Sequence, residues 1–172
     1  ENVLIVGSGK SVKTKHDKIA KYILKNKPKV IAINFVPSFK TDMVFVANQK
    51  RFEMIKDSLD MKNVIRTSNI DDDTKECHVV NYSTLLNSGD IVGDSSGMML
   101  LTLLRRLKVS KVAIAGMDGF KRNCLENYCE KRFVHEEDNK TLREKNKEMK
   151  EQLKLISKEI NIEFITPSKY CD

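Results

Sequence analysis

A chain of 172 residues, 40% of them hydrophobic, is long enough to bury one sizeable core and to fold without disulfides or structural metal. Its net charge of +7 comes from 31 Lys and Arg against 24 Asp and Glu, and the lysines read as spread along the chain and mixed with acids. With only 6% aromatics, that argues for a solvated surface rather than a nucleic-acid stripe, and leaves a small anionic ligand compatible.

No apolar run nears the roughly 18 residues of a membrane span, and no signal-peptide succession is present, so the sequence reads as soluble and cytoplasmic. Glu1 stands where a start methionine is expected and a strand follows at once. Residues 1–172 therefore read as one nucleotide-binding-like domain cut from a longer polypeptide.

Val3 to Val6 is a continuous β-branched and apolar run, suited to a strand covered on both faces of a parallel sheet. Gly7 and Gly9 mark a tight turn, and Ile19, Ala20, Ile23 and Leu24 recur at helical spacing from about His16 to Lys25, before Pro28 stops the helix. Val30 to Phe35 and Met43 to Asn48 are the next strands, and a helix with Phe52, Ile55 and Leu59 on one side follows. NVIRTSN and HVVNY are two shorter strand candidates around the acidic turn Asp71 to Asp73.

DSSGMMLLTLLRRL carries a strong helix signal, with Asp94, Ser95 or Ser96 able to cap it and an apolar stretch from Met98 to Leu104 that predicts burial against the sheet. KVAIAGMDGF is a strand ending at Gly116. Residues 121–138 are irregular and charged and read as a flexible lid. A long helix follows over about Asn139 to Ile160, with Leu142, Met149, Leu153, Ile156 and Ile160 as its buried stripe, and EFIT is the last strand. Strands alternating with helices predict a doubly wound α/β fold, with a mostly parallel sheet and helices on both faces.

In such a sheet, ligands bind beyond the carboxyl ends of the strands, where the strand order reverses. The strand ends carry Gly7, Ser8, Gly9 and Lys10, then Asn34, Asn48, Asn69 and Asn81, and finally Gly116 and Asp118. Each Asn offers a donor and an acceptor without charge, which suits ribose hydroxyls, base edges or phosphate oxygens; Asn is also an ordinary residue of turns.

VGSGKS resembles a triphosphate loop only superficially. The pattern G-x-x-x-x-G-K-[ST] needs a glycine where Leu4 stands, so what remains is a short turn with a modest anion site at a helix N-terminus. Ser95, Ser96 and Gly97 precede a buried helix and offer backbone amides to a phosphate or a base, although a simple N-cap explains the serines equally.

Among the histidines, His16 falls on the polar side of a helix, His78 lacks companions for a metal site, and His135 stands near the crevice mouth as a candidate general base. No metal site is expected. Cys77, Cys124, Cys129 and Cys171 lack metal-ligand spacing and read as free thiols.

The succession VLIVGSGKS, AINF, VFVANQKRFE, TSN, SSGMMLLTLLRRLKVSKVAIAGMDGF and VHEEDNKTLREKNKEMKEQLKLI resembles the bacterial sialyltransferases of glycosyltransferase family 42 and the related motility-accessory-factor domains. The resemblance implies a Rossmann-like fold that binds a CMP-sugar-like nucleotide without metal or further cofactor. It would turn Ser8, Asn34 and Asn48 toward the nucleotide and Ser96 and Gly97 toward the base, with His135 as the general base of a sialyl-type glycosyl transfer.

The sequence departs from that family where its loop Asn is Ser8, its Pro is Lys10, and the Tyr that assists the leaving phosphate is Phe120; the segment before the last helix is also shorter. A closer likeness, through GKS, VFVANQKRFE, VVNYS, DSSGMMLL, AGMDGF and the ending EFITPSKY, is to the C-terminal domain of bacterial HMG-CoA-lyase-like and 4-hydroxy-2-oxovalerate aldolase proteins. That likeness implies the alternative of a non-catalytic accessory domain behind an N-terminal aldolase-type partner domain, with any lyase activity residing there.

Overall fold

A computed structural model describes residues 2–171. Seven strands form one sheet in the order β5-β4-β3-β2-β1-β6-β7: β1 (Asn2–Val6), β2 (Lys29–Ile33), β3 (Met43–Val46), β4 (Val64–Thr67), β5 (His78–Val80), β6 (Lys111–Ala115) and β7 (Asn161–Phe164). Every pairing is parallel, with Ile5 of β1 opposite Ile31 of β2 on one side and Ile114 of β6 on the other. The chain winds outward from β1 to β5 and then returns across the sheet to lay β6 beside β1, so the strand order reverses between β1 and β6.

Among the described residues five α-helices cover the sheet: α1 (Ser11–Thr14), α2 (His16–Asn26), α3 (Gln49–Ile55), α4 (Ser96–Arg106) and α5 (Asn139–Ile156). Side chains alternate across each strand and both faces are buried, which is why β1 reads as an unbroken apolar run. Leu4, Val6, Val30, Ala32, Val44 and Val46 pack with Val12, Ile19, Phe52 and Ile55 of α1 to α3. Val3, Ile5, Ile31, Ile33 and Phe45 face α4 and α5. The doubly wound, Rossmann-like α/β architecture follows from these two layers and the switch in strand order.

The element ends differ from the sequence reading where capping decides them. The helix expected over His16 to Lys25 is α2, and a short α1 that the sequence reading did not place precedes it; Lys27, in a left-handed conformation before Pro28, caps α2. β3 stops at Val46 because Asn48 is the N-cap of α3, its side-chain oxygen accepting from Arg51 N–H at 2.9 Å. α5 ends at Ile156, and Ile160 is buried beyond it.

Residues 121–138 are anchored at a few points, and many of their side chains remain exposed. Two short 3-10 turns hold the segment, Phe133 is 2% exposed, Asn127 and Cys129 are buried, and Cys129 N–H donates to the Ser8 carbonyl at 2.8 Å. Its polar composition concealed the residues that bury it.

Charge is also less evenly spread than expected. Residues 10–29, which include α1 and α2, hold eight lysines against one acid, Asp17; from totals of 31 and 24, that leaves 23 basic against 23 acidic residues elsewhere. No helix among the described residues is long and apolar enough to cross a membrane.

At the switch point the β1 and β6 loops touch backbone to backbone: Gly7 N–H donates to the Ala115 carbonyl and Gly9 N–H to the Gly116 carbonyl, each at 2.8 Å. Gly116 has φ of 71°, and a Cβ there would lie 2.2 Å from the Gly7 oxygen. Gly116→Ala is therefore expected to cost about 3 kcal/mol, combining left-handed strain with a clash that neither backbone can relieve. Gly97→Ala, whose Cβ meets only the flexible end of Met117 within a helix, is expected to stay within about 1 kcal/mol of the parent. Urea unfolding of both variants tests the contrast, and equal losses would contradict it.

Candidate functional site

Beyond the carboxyl ends of β1 and β6 lies a crevice of two adjoining chambers. The inner one, about 200 Å³, is lined by Gly7, Ser8 and Gly9, by Gly116 to Phe120, and by Asn34, Ser95, Ser96, Gly97, Asn127, Tyr128 and Tyr170. The outer one, about 410 Å³, is lined by Asn48, Lys50, Asp94, Arg132, His135 and Lys145. Asn34, Arg51, Ser95, Ser96, Phe120, Tyr128 and Met149 line both.

The fold thus gathers nearly all the residues singled out in the sequence. Gly7, Ser8, Gly9, Asn34, Ser95, Ser96, Gly97 and Asp118 stand around the inner chamber, and Asn48 and His135 around the outer. Lys10 stands apart. It lines a separate depression with Lys121 and Lys169, and its ammonium lies 3.8 Å from Glu126.

The first loop differs from the expected anion site in what fills it. Asp118 reaches from the β6 loop to the start of α1, where Oδ2 accepts from Ser11 N–H at 2.8 Å and Oδ1 accepts from the Ser11 hydroxyl. The loop glycines spend their amides on the β6 backbone. A carboxylate already occupies the place a phosphate would take, and it repels a second anion there.

The β6 loop is held rigidly around this contact. Asn146 bonds Phe120 through both its main-chain N–H and carbonyl, at 2.8 Å each, Ser168 donates to the Met117 carbonyl at 2.7 Å, and Thr166 accepts from Gly116 N–H at 3.0 Å.

At the opposite wall, α4 presents its N-terminus to the crevice. No side chain caps its first turn. Asn34, in a left-handed conformation at φ 56°, donates to the Ser96 hydroxyl at 2.7 Å and accepts from Ala47 N–H at 3.1 Å, tying β2, β3 and α4 together. Its role is therefore largely to hold Ser96, while Asn48 is committed to capping α3. The loop before α4 is clamped by Glu148 of α5, which accepts from the N–H groups of Ile91 and Val92 at 2.9 and 3.0 Å.

Arg51, which the sequence reading passed over, stands where the chambers meet. Its guanidinium lies 3.8 Å from the centroid of the Phe133 ring and 4.9 Å from that of Tyr128. One terminal nitrogen donates to the Phe133 carbonyl at 3.3 Å; the other is buried outside good hydrogen-bond geometry, and the Tyr128 hydroxyl lies close enough to act on the guanidinium. No carboxylate pairs with it among the described residues. Burial lowers its pKa from the ordinary arginine value, yet a guanidinium remains a cation. Only its place on α3, three residues after a capping Asn, was visible in the sequence.

Burial raises the phenols of Tyr128 and Tyr170, so both hydroxyls stay protonated; both residues line the inner chamber. At the outer rim, Glu137 joins His135, whose Nε2 lies 3.3 Å from Oε2, to Lys145, paired with Oε1.

Among the described residues no three His, Cys, Asp or Glu side chains converge on a point that would hold a metal ion. His78 is accompanied by Cys77, whose sulfur instead accepts from Arg66 Nε at 3.1 Å. Comparison with family models, curated proteins and solved structures finds no match to this chain. Fold and site together define a doubly wound α/β domain with a partly cationic crevice at its switch point.

Asp118→Ala is expected to lower stability by about 1 to 3 kcal/mol, because it leaves two part-buried Ser11 donors without their acceptor. Ser8→Ala, a half-buried change in the same loop, is expected to shift it by less than about 0.5 kcal/mol. A denaturation midpoint indifferent to Asp118→Ala would show that the carboxylate does not cap α1.

Proposed function

We propose that the crevice binds a nucleotide or nucleotide sugar through its phosphate, which lies against Arg51 and the uncapped first turn of α4. The observation that carries this reading is the unpaired guanidinium. A cation withdrawn from water without a paired carboxylate is costly; Glu130, whose charge acts on Arg51, is itself paired with Arg132, and the chambers are lined by a helix N-terminus and several hydroxyls, with Asp118 committed to Ser11 and Asp94 beside Ser95 as the carboxylates. The phosphate thus sits on the α4 side of the crevice, away from the glycine turn. The inner chamber is of a size to take a flat base or a sugar beside Gly97, against which the end of the Met117 side chain packs.

The resemblance to CMP-sugar-dependent sialyltransferases extends this reading to glycosyl transfer. His135, oriented by Glu137, takes the proton of an acceptor hydroxyl in the outer chamber. The freed oxygen attacks the anomeric carbon, the bond from that carbon to the phosphate oxygen breaks, and the nucleoside monophosphate leaves with the electron pair. Its added charge is met by Arg51, the α4 amides and the hydroxyls of Tyr128 and Tyr170.

Calorimetric titration with CMP, CDP, a CMP-sugar and inorganic phosphate tests the binding step. At least one cytidine nucleotide is expected to bind, and Arg51→Gln to weaken it roughly tenfold or more, the loss appropriate to a charge-assisted contact. The melting temperature of the ligand-free Arg51→Gln protein is expected to stay level or rise, since the substitution relieves a buried unpaired charge. A flat response to every nucleotide would overturn the reading. A large stability loss in Arg51→Gln with unchanged affinity would make Arg51 a structural residue instead.

A further inference from the structure

The whole net charge of the protein resides in residues 10–29, and the remainder is balanced. Of the eight lysines there, Lys10 and Lys29 lie 3.8 Å from Glu126 and Asp42, respectively. The other six, Lys13, Lys15, Lys18, Lys21, Lys25 and Lys27, are exposed and form no ion pair among the described residues. They follow α1 and α2 in steps that keep them on the outside, because Ile19 is the one fully buried side chain of α2. Among them stands Leu24, 76% exposed and flanked by Lys21, Lys25 and Lys27.

We infer that this face is a docking surface for an anionic lipid bilayer, with α2 lying along the headgroups and Leu24 entering the acyl boundary. Charge complementarity selects the occupant. A stretch of lysines with an apolar side chain projecting among them suits a negatively charged membrane surface, where each ammonium near the plane adds attraction without any fixed geometry. Nucleic-acid surfaces draw on arginine forks and stacking aromatics, and this segment has no arginine and a single, half-buried aromatic, Tyr22. Lysine is depleted from protein–protein interfaces, which disfavours an acidic protein partner. The inference is independent of what fills the crevice.

Co-sedimentation with vesicles tests it on the whole chain. Vesicles of phosphatidylcholine with about a third phosphatidylserine are expected to bind the protein at roughly 0.1 M salt and to release it near 1 M, where screening shortens to about 3 Å. Pure phosphatidylcholine is expected to leave it in solution. The exposed triple reversal Lys18→Glu, Lys21→Glu and Lys25→Glu is expected to cut the partition coefficient more than about tenfold. Leu24→Ser is expected to cut it about two- to fivefold.

An unchanged melting temperature shows that both variants fold. Absent binding, equal binding to the neutral vesicles, or binding that survives the triple reversal would each overturn the proposal. So would tighter, reversal-sensitive binding to single-stranded RNA or duplex DNA, which would reassign the face to nucleic acid.

Discussion

The contact on which the rest of this structure depends is the backbone seam between the loops that leave β1 and β6. The sheet changes direction there, and in an open α/β sheet a change of direction separates two loops and leaves a gap. Here the gap is partly closed by hydrogen bonds from Gly7 and Gly9 to the β6 loop, with the carbonyl groups of Ala115 and Gly116 as acceptors. The glycines of the first turn are used to bring two loops together. Asp118 completes the seam by capping α1, so the phosphate-loop appearance of VGSGKS dissolves into a device for joining the halves of the sheet.

With the near wall closed in this way, the open part of the crevice shifts toward α4. Four elements converge there with their geometry already set: Asn34 links β2 and β3 to Ser96, Glu148 of α5 fixes the loop that enters α4, α3 delivers Arg51, and the segment carrying Tyr128 and Phe133 covers it with aromatic rings. Each uses its polar groups on its neighbours. Among the described residues, the first turn of α4 has no side-chain cap, and one arginine nitrogen is buried outside good hydrogen-bond geometry. Donors left over after a fold has satisfied itself are the ones available to a ligand.

The sequence was informative wherever one element's own residues decide its state. The apolar runs of β1, β2 and β6, the all-round apolar α4 and the stripe of α5 were legible because periodicity and burial coincide within each element. The clustering of Asn34, Ser95, Ser96, Gly97 and Asp118 was legible too, since parallel strands must bring their carboxyl ends to one edge. What escaped was set by partners distant in the chain. Asp118 could not be seen as the cap of α1, because capping signals are sought next to a helix, not in another loop. Arg51 looked like any helical surface cation until residues 128–133 were known to lie across it. That segment in turn read as a flexible lid, because its buried residues, Asn127, Cys129 and Phe133, follow no regular spacing. The concentration of lysine along α1 and α2 was countable in the sequence and was missed by considering the chain's composition as a whole.

The Asp118 to Ser11 contact has a consequence for how order is distributed in the molecule. By carrying its own anion, the β1 turn is complete before any solute arrives, and its conformation owes nothing to occupancy. The α4 end has no such surrogate. The two sides of the crevice are thus unlike: the β1 turn takes its acceptor from the chain itself, and the first turn of α4 keeps its amides clear of any side-chain cap.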